Sequence, residues 1–405
     1  MKRASIILVI IQLVVAAESR GQMQDIKRDF ITLDLRKNYT SKKELILQDF
    51  MDVEYIALET NNDFVNQGVV VDVGKEIIIV RNGINDGDIF IYNRLGKSLR
   101  KINRRGQSGE EYINFSKIAL DEEKGEIFVN DISLRKIFVY DLFGKFKRSF
   151  NHKEGTVSKQ LGNLPIKEYT FYTEIFNYDK ENLICYDRYN EDIVCFLISK
   201  QDGHITKEIK IPFKKKKSLI QEHLFEESGK HYITTRNPGY YSPIIPYKDK
   251  WILLEMSSDT VYTLLPDHSL CPFLTRIPSV QSMNPEVMLA LRFVSDSYYF
   301  METIRNEYNF NTGTGFPKKY LMYDVKQKTF GGYKVFNSDY LIPKEVFMVG
   351  FTPANHEIAA SYLIQAYQLV ESYKKGELKE GKLKEIASKL DEEDNPVIML
   401  VKHKK

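Results

Sequence analysis

Between Asp88 and Phe150 one unit is written twice. DIFIYNRLGKSLRKI at Asp88 to Ile102 returns as KIFVYDLFGKFKRSF at Lys136 to Phe150, with Tyr92/Tyr140, Gly96/Gly144, Lys97/Lys145 and Arg100/Arg148 each 48 residues apart. A period of about 40 to 50 residues is the mark of propellers and solenoids. Each copy reads as an apolar strand, a turn carrying Gly-Lys, and a second strand. Continuous apolar runs such as Ile137 to Tyr140 predict burial on both faces, which blades stacked against each other provide.

The unit extends in both directions. Val69–Val73, a Gly74-Lys75 turn and Glu76–Val80 complete a first set of four strands with Asp88–Ile102. Lys117–Asp121 and Glu126–Asp131 do the same for the second copy. Four antiparallel strands joined by tight turns make one propeller blade. Degraded copies follow at Asn182–Asp187 with Asp192–Ile198, at Trp251–Glu255 with Thr260–Leu264, and at Tyr298–Glu302 with Tyr320–Asp324. Near the C-terminus, apolar residues spaced three and four apart (Tyr362, Leu363, Ala366, Leu369, Val370, Tyr373, then Leu383, Ile386, Leu390) predict a short helical insertion over about 362–390. Val397–Val401 then reads as a strand that, with Glu357–Tyr362 and the N-terminal Val53–Leu58, closes the ring as a composite sixth blade. The expected fold is therefore all-β: a six-bladed β-propeller of four-stranded antiparallel blades, forming a single domain over 49–405.

Composition agrees with a large packed β domain. The chain has 405 residues, 43% of them hydrophobic, and its 25 Tyr and 24 Phe suit pleated, packed surfaces. A net charge of +3 from 58 basic and 55 acidic residues is near balance, which argues against nucleic acid as a partner. The run Lys214 to Lys217 reads as a solvated loop. Residues 1–22 have the layout of a secretory signal peptide: Lys2-Arg3, an apolar run from Ile6 to Ala17, and cleavage after Ala17 or Gly21. Residues 23–48 read as an extended leader. No cysteine lies near the cleavage zone to form a lipobox, and no later segment is long and apolar enough to span a membrane, so a periplasmic or secreted monomer is expected.

Chemistry is harder to find. No nucleophile elbow, zinc-protease helix, P-loop or dinucleotide fingerprint occurs. His152, His204 and His268 read as surface residues near blade turns. Asp131, Asp187, Glu255 and Glu302 each close the second strand of a blade, with Asn82 at the corresponding place in the first. Either they accept backbone N–H groups in the following turns, or they form a ring able to bind Ca²⁺ or another divalent cation. Arg104, Arg105, Glu111 and Tyr112 form a rim loop able to take a carboxylate or sugar hydroxyls, or else simply connect two blades. Cys185 and Cys195 flank a turn; centred on residue 190, the hairpin would set them face to face for a disulfide.

These features resemble a family of exported six-bladed propellers, related to NHL-repeat propellers and common as lipoproteins and periplasmic proteins of gut-dwelling Gram-negative bacteria. The resemblance covers about Val53 to Lys405. It rests on the strand Tyr55 to Glu59, on RRGQSGEEY at Arg104 to Tyr112, on the turns at Gly96-Lys97 and Gly144-Lys145, and on EDNPVIMLV at Glu393 to Val401. Where the family reads Gly-Pro-Gly, this chain has Ser108-Gly109-Glu110. The resemblance implies a fold and a compartment but no shared activity. The expected role is a binding module that engages a protein, peptide or glycan through its rim loops, with no catalysis and no cofactor. The alternatives are a metal-dependent hydrolase or lyase of the gluconolactonase-like kind, and a carbohydrate-binding accessory in glycan uptake.

Overall fold

The computed structural model describes residues 31–83, 86–161, 164–227, 229–350 and 353–404. The signal peptide at 1–22 and the first part of the leader lie outside them. The fold is a six-bladed β-propeller of small antiparallel sheets, as the repeat predicts. The first blade is Val69–Val73, Ile77–Arg81, Asp88–Asn93 and Ser98–Asn103; the second is Phe115–Asp121, Glu126–Asp131, Lys136–Asp141 and Phe146–Asn151. The third is Tyr172–Asn177, Asn182–Asp187, Cys195–Ser199 and Ile205–Ile209. The fourth comprises Ile244–Tyr247, Lys250–Leu253, Thr260–Leu264 and Leu270–Ile277, and the fifth Val287–Val294, Tyr298–Arg305, Lys318–Asp324 and Thr329–Asn337.

The closing blade joins the two ends of the chain. Met51–Ala57 pairs antiparallel with Val397–His403, which pairs in turn with Ile358–Ile364. Two short helices, Ala366–Lys374 and Lys382–Ala387, fill the predicted insertion and bury Leu369, Val370, Leu383 and Ile386. Part of the predicted leader belongs to the sheets. Ile31–Asp34 lies along the outer edge of the fourth blade, and Lys42–Ile46 runs parallel to Thr329–Asn337 in the fifth.

Packing follows the strand order outward. The middle strands are the most buried: all six residues of Glu126–Asp131 are buried, whereas the outer strand Ser98–Asn103 alternates and buries only Ile102. Between the second and third blades, Phe128, Ile137 and Val139 pack on Tyr172, Leu183 and Cys185. Each such side chain contributes roughly 1.5–3 kcal/mol, so the faces between blades hold the ring together. The repeated turn has one construction in both copies. Asn93 Oδ1 accepts the N–H groups of Leu95 and Lys97, Asp141 Oδ1 those of Phe143 and Lys145, and Gly96 and Gly144 adopt φ of 81° and 80°.

Three expectations are corrected. Cys185 and Cys195 are free and buried: the hairpin centres half a residue later than expected, pairing Cys185 with Phe196 and Tyr186 with Cys195. Successive residues face opposite sides of a sheet, so Cys185 packs toward the second blade and Cys195 toward the fourth. The lysine run is only half solvated, because Lys216 pairs with Glu255 and Lys217 with Glu286, each at 2.7 Å. His152 is buried, not on the surface. Among the described residues no helix is long and apolar enough to cross a membrane.

Candidate functional site

The loop from Arg104 to Tyr112 is a connector between the first two blades. Tyr112 is fully buried, its hydroxyl donating to Gly87 O at 2.6 Å and accepting from Arg104 N at 3.0 Å. Arg104 Nε donates to Gly144 O at 2.8 Å, and Glu111 accepts the Ser108 N–H at 3.0 Å. Arg105 is exposed and bridges to Tyr112 through the backbone. The loop thus spends Tyr112, Arg104 and Glu111 on its own geometry.

The four carboxylates are likewise engaged by neighbouring donors. Asp131 accepts the N–H groups of Ile113, Asn114 and Leu134, and Asp187 those of Phe171, Tyr189 and Asn190. With Asn82, which accepts from Gln67 N, they pin the entry of each blade's first strand to the end of its second. Glu255 accepts from Tyr186 Oη, Lys216 Nζ and Ser257 N. Glu302 is paired with Arg292 and lies 3.5 Å from Lys318 Nζ. Among the described residues no three His, Cys, Asp or Glu side chains are grouped to hold a metal ion.

In a propeller the first strands surround a central channel, and here those of the first three blades line two recesses that share Asp72, Phe176 and Ala354. One recess, of about 650 Å³, lies where the turns after the first strands converge. Its charges are compensated. Lys200, itself buried, donates to Asp121 Oδ2 at 2.7 Å and to Asp179 O at 2.5 Å, and Glu122 accepts the N–H groups of Lys75, Glu76 and Ile77. Burial pushes the Asp72 carboxyl up to about 6, against the N–H bonds from Leu120 and Val73 that favour its charge. His356 packs edge-on against Trp251 at 4.5 Å.

The recess at the opposite mouth, of about 490 Å³, is differently built. Lys117, from the second blade's first strand, places Nζ 3.0 Å from Glu174 of the third. Tyr240, from the segment leading into the fourth blade, closes the triangle: its hydroxyl lies 3.1 Å from Lys117 Nζ and 3.0 Å from Glu174 Oε2. Burial works against the Lys117 charge, but Glu174 and Tyr240 outweigh it and hold the ammonium above its ordinary range. Burial and Glu174 push the Tyr240 hydroxyl up. Arg188, just past the third blade's second strand, stands over the Tyr241 ring at 5.0 Å, and Tyr189 is 58% exposed at the rim. Arg81 also lines the recess and donates Nη1 to Asn82 O. Three blades and one connector therefore bring aromatic rings, cations and two carboxylates, Glu174 and Asp72, to a single concave surface.

Sequence reasoning missed this group. Arg188 and Tyr189 directly follow the Asp187 that was singled out, and Tyr240-Tyr241 sits in the insertion between Lys214 and Tyr247. An adjacent pair of tyrosines in an insertion was the available signal.

Residues 30–402 match a family described as a domain of unknown function, DUF4934. The chain belongs to the DUF4934 family. Its propeller is similar to the crystal structure of a suspected exported protein from Bacteroides fragilis, at 14% identity and a TM-score of 0.56, covering 93% of this chain and 100% of that one. A member of the DUF4221 family from Bacteroides vulgatus aligns at 9% identity with a TM-score of 0.45, covering 88% of this chain and 100% of that one. No curated protein sequence matches this DUF4934 chain.

Proposed function

We propose that this DUF4934 protein is an exported binding module that takes a small ligand at the mouth of its axial channel. The observation that carries the reading is the recess of about 490 Å³ in which Lys117 of the second blade, Glu174, Arg188 and Tyr189 of the third, and Tyr240 of the segment before the fourth converge. Concave sites with aromatic walls and a few placed polar groups are where small molecules bind, and propellers gather loops around one axis at such a mouth. The binding surface is thus the channel mouth and not the connector at Arg104 to Tyr112. Export is supported by the Lys2-Arg3 and Ile6 to Ala17 pattern and by the described export of a structural relative. No catalytic step is assigned.

A thermal-shift screen of the mature protein against small sugars, sugar acids and short peptides tests the reading, because a ligand that binds only the folded state raises its stability. At least one compound is expected to raise the melting temperature. Tyr189→Ala combined with Tyr240→Phe is expected to weaken that compound about tenfold, from the stacking face and the hydroxyl together. A hit unaffected by this double variant, or a screen without any hit, would count against it.

A further inference from the structure

We infer that the channel mouth is a carboxylate site in which Arg188 takes the negative charge of the ligand. This rests on the binding role proposed above and names the chemical class of what is bound.

The inference comes from an imbalance among the cations of the recess. Lys117 is satisfied by Glu174 and Tyr240, at 3.0 and 3.1 Å. Arg188 has no such partner: its Nε is buried without a hydrogen bond, and among the described residues no carboxylate pairs with its guanidinium. The face of Tyr241 lies 5.0 Å from the guanidinium carbon. A ring beneath the guanidinium fixes its plane without using its N–H donors. A buried N–H left unpaired is costly, and an anion that accepts from Nε removes that cost. The planar fork matches a carboxylate, which accepts two parallel N–H bonds. The nearby Glu174 is held by Lys117 and Tyr240 and attracts the Arg188 charge without forming an ion pair with it. Arg81, whose Nη1 donates only to a backbone carbonyl, adds a second positive charge to the same recess. The exposed ring of Tyr189 at the rim gives the non-carboxylate part of a ligand a surface to lie on. A volume of about 490 Å³ admits one small ring bearing a carboxylate.

Calorimetric titration with glucuronate, glucose and acetate tests this directly, using the mature chain, Arg188→Gln, Arg188→Lys and Arg105→Gln. Glucuronate is expected to bind at least tenfold more tightly than glucose. Arg188→Gln should lose about tenfold to a hundredfold in glucuronate affinity, as removal of a charge-assisted pair does. Arg188→Lys should fall between, keeping charge but losing the fork, and Arg105→Gln, an exposed arginine of the connector, should be unchanged. Acetate that competes with glucuronate would show that the carboxylate alone is recognised. Far-UV circular dichroism of each variant reports folding separately. Equal affinity for glucose and glucuronate, or glucuronate binding unaltered in folded Arg188→Gln, would overturn the carboxylate site while leaving the binding role intact. Absence of both glucuronate and acetate binding would also overturn it, and the wider ligand screen would then decide the binding role on its own.

Discussion

His152 lies against the Tyr172 ring at 4.5 Å, with Nε2 2.8 Å from Asn130 Oδ1 and Nδ1 facing the Tyr172 N–H at 3.4 Å. Burial, opposed by a bond to the Thr170 backbone, drives its pKa down from an ordinary 6.5 to about 3. The folded state therefore holds the neutral ring, while the unfolded chain takes up a proton near pH 6.5. Stability from this residue is fully present above pH 6.5 and is lost as pH falls toward 3, by roughly 5 kcal/mol in all. Urea unfolding at pH 7 and pH 4.5 should show wild type losing more stability over that interval than His152→Gln. Equal losses in both would contradict this placement. The sequence placed this residue beside a blade turn correctly, but a lone histidine does not state whether its turn faces water or the next blade. The cysteines illustrate the same limit. Their hairpin was legible, yet half a residue of register decides whether Cys185 and Cys195 meet or point to opposite faces.

At the level of strands and turns, repetition was the legible part. The Gly-Lys turns, the acids closing the second strands and the apolar middle strands all recur, and each proves to have a local structural duty. Less legible were the contacts that tie one blade to the next, because they join residues distant in sequence. Lys200 of the third blade reaches Asp121 of the second, both buried, at 2.7 Å. Removing one partner leaves the other charge buried and unpaired, which costs about 3–5 kcal/mol, whereas replacing both with apolar groups costs less. Lys200→Met should therefore destabilise the protein to chemical unfolding more than Lys200→Met combined with Asp121→Leu. A double variant as unstable as the sum of the two single ones would show that the pair is not coupled.

For the whole molecule, the two clear copies and their degraded relatives were sufficient to predict six blades, and the composite closing blade formed from both ends followed from the leftover strands. The edge strands Ile31–Asp34 and Lys42–Ile46 were not visible, since outer strands bury little and carry no strong apolar pattern. The channel mouth was not visible either. Its residues at 117, 174, 188 and 240 come together only when the ring closes, so no stretch of sequence contains them. Deuterium exchange of the mature protein with and without a saturating ligand from the screen is the most direct test of where binding occurs. Protection is expected around Thr173 to Phe176, at Arg188-Tyr189 and at Tyr240-Tyr241, with the Arg104 to Tyr112 connector unchanged. Protection confined to the connector, or to the opposite recess around Trp251 and His356, would contradict a site at this mouth.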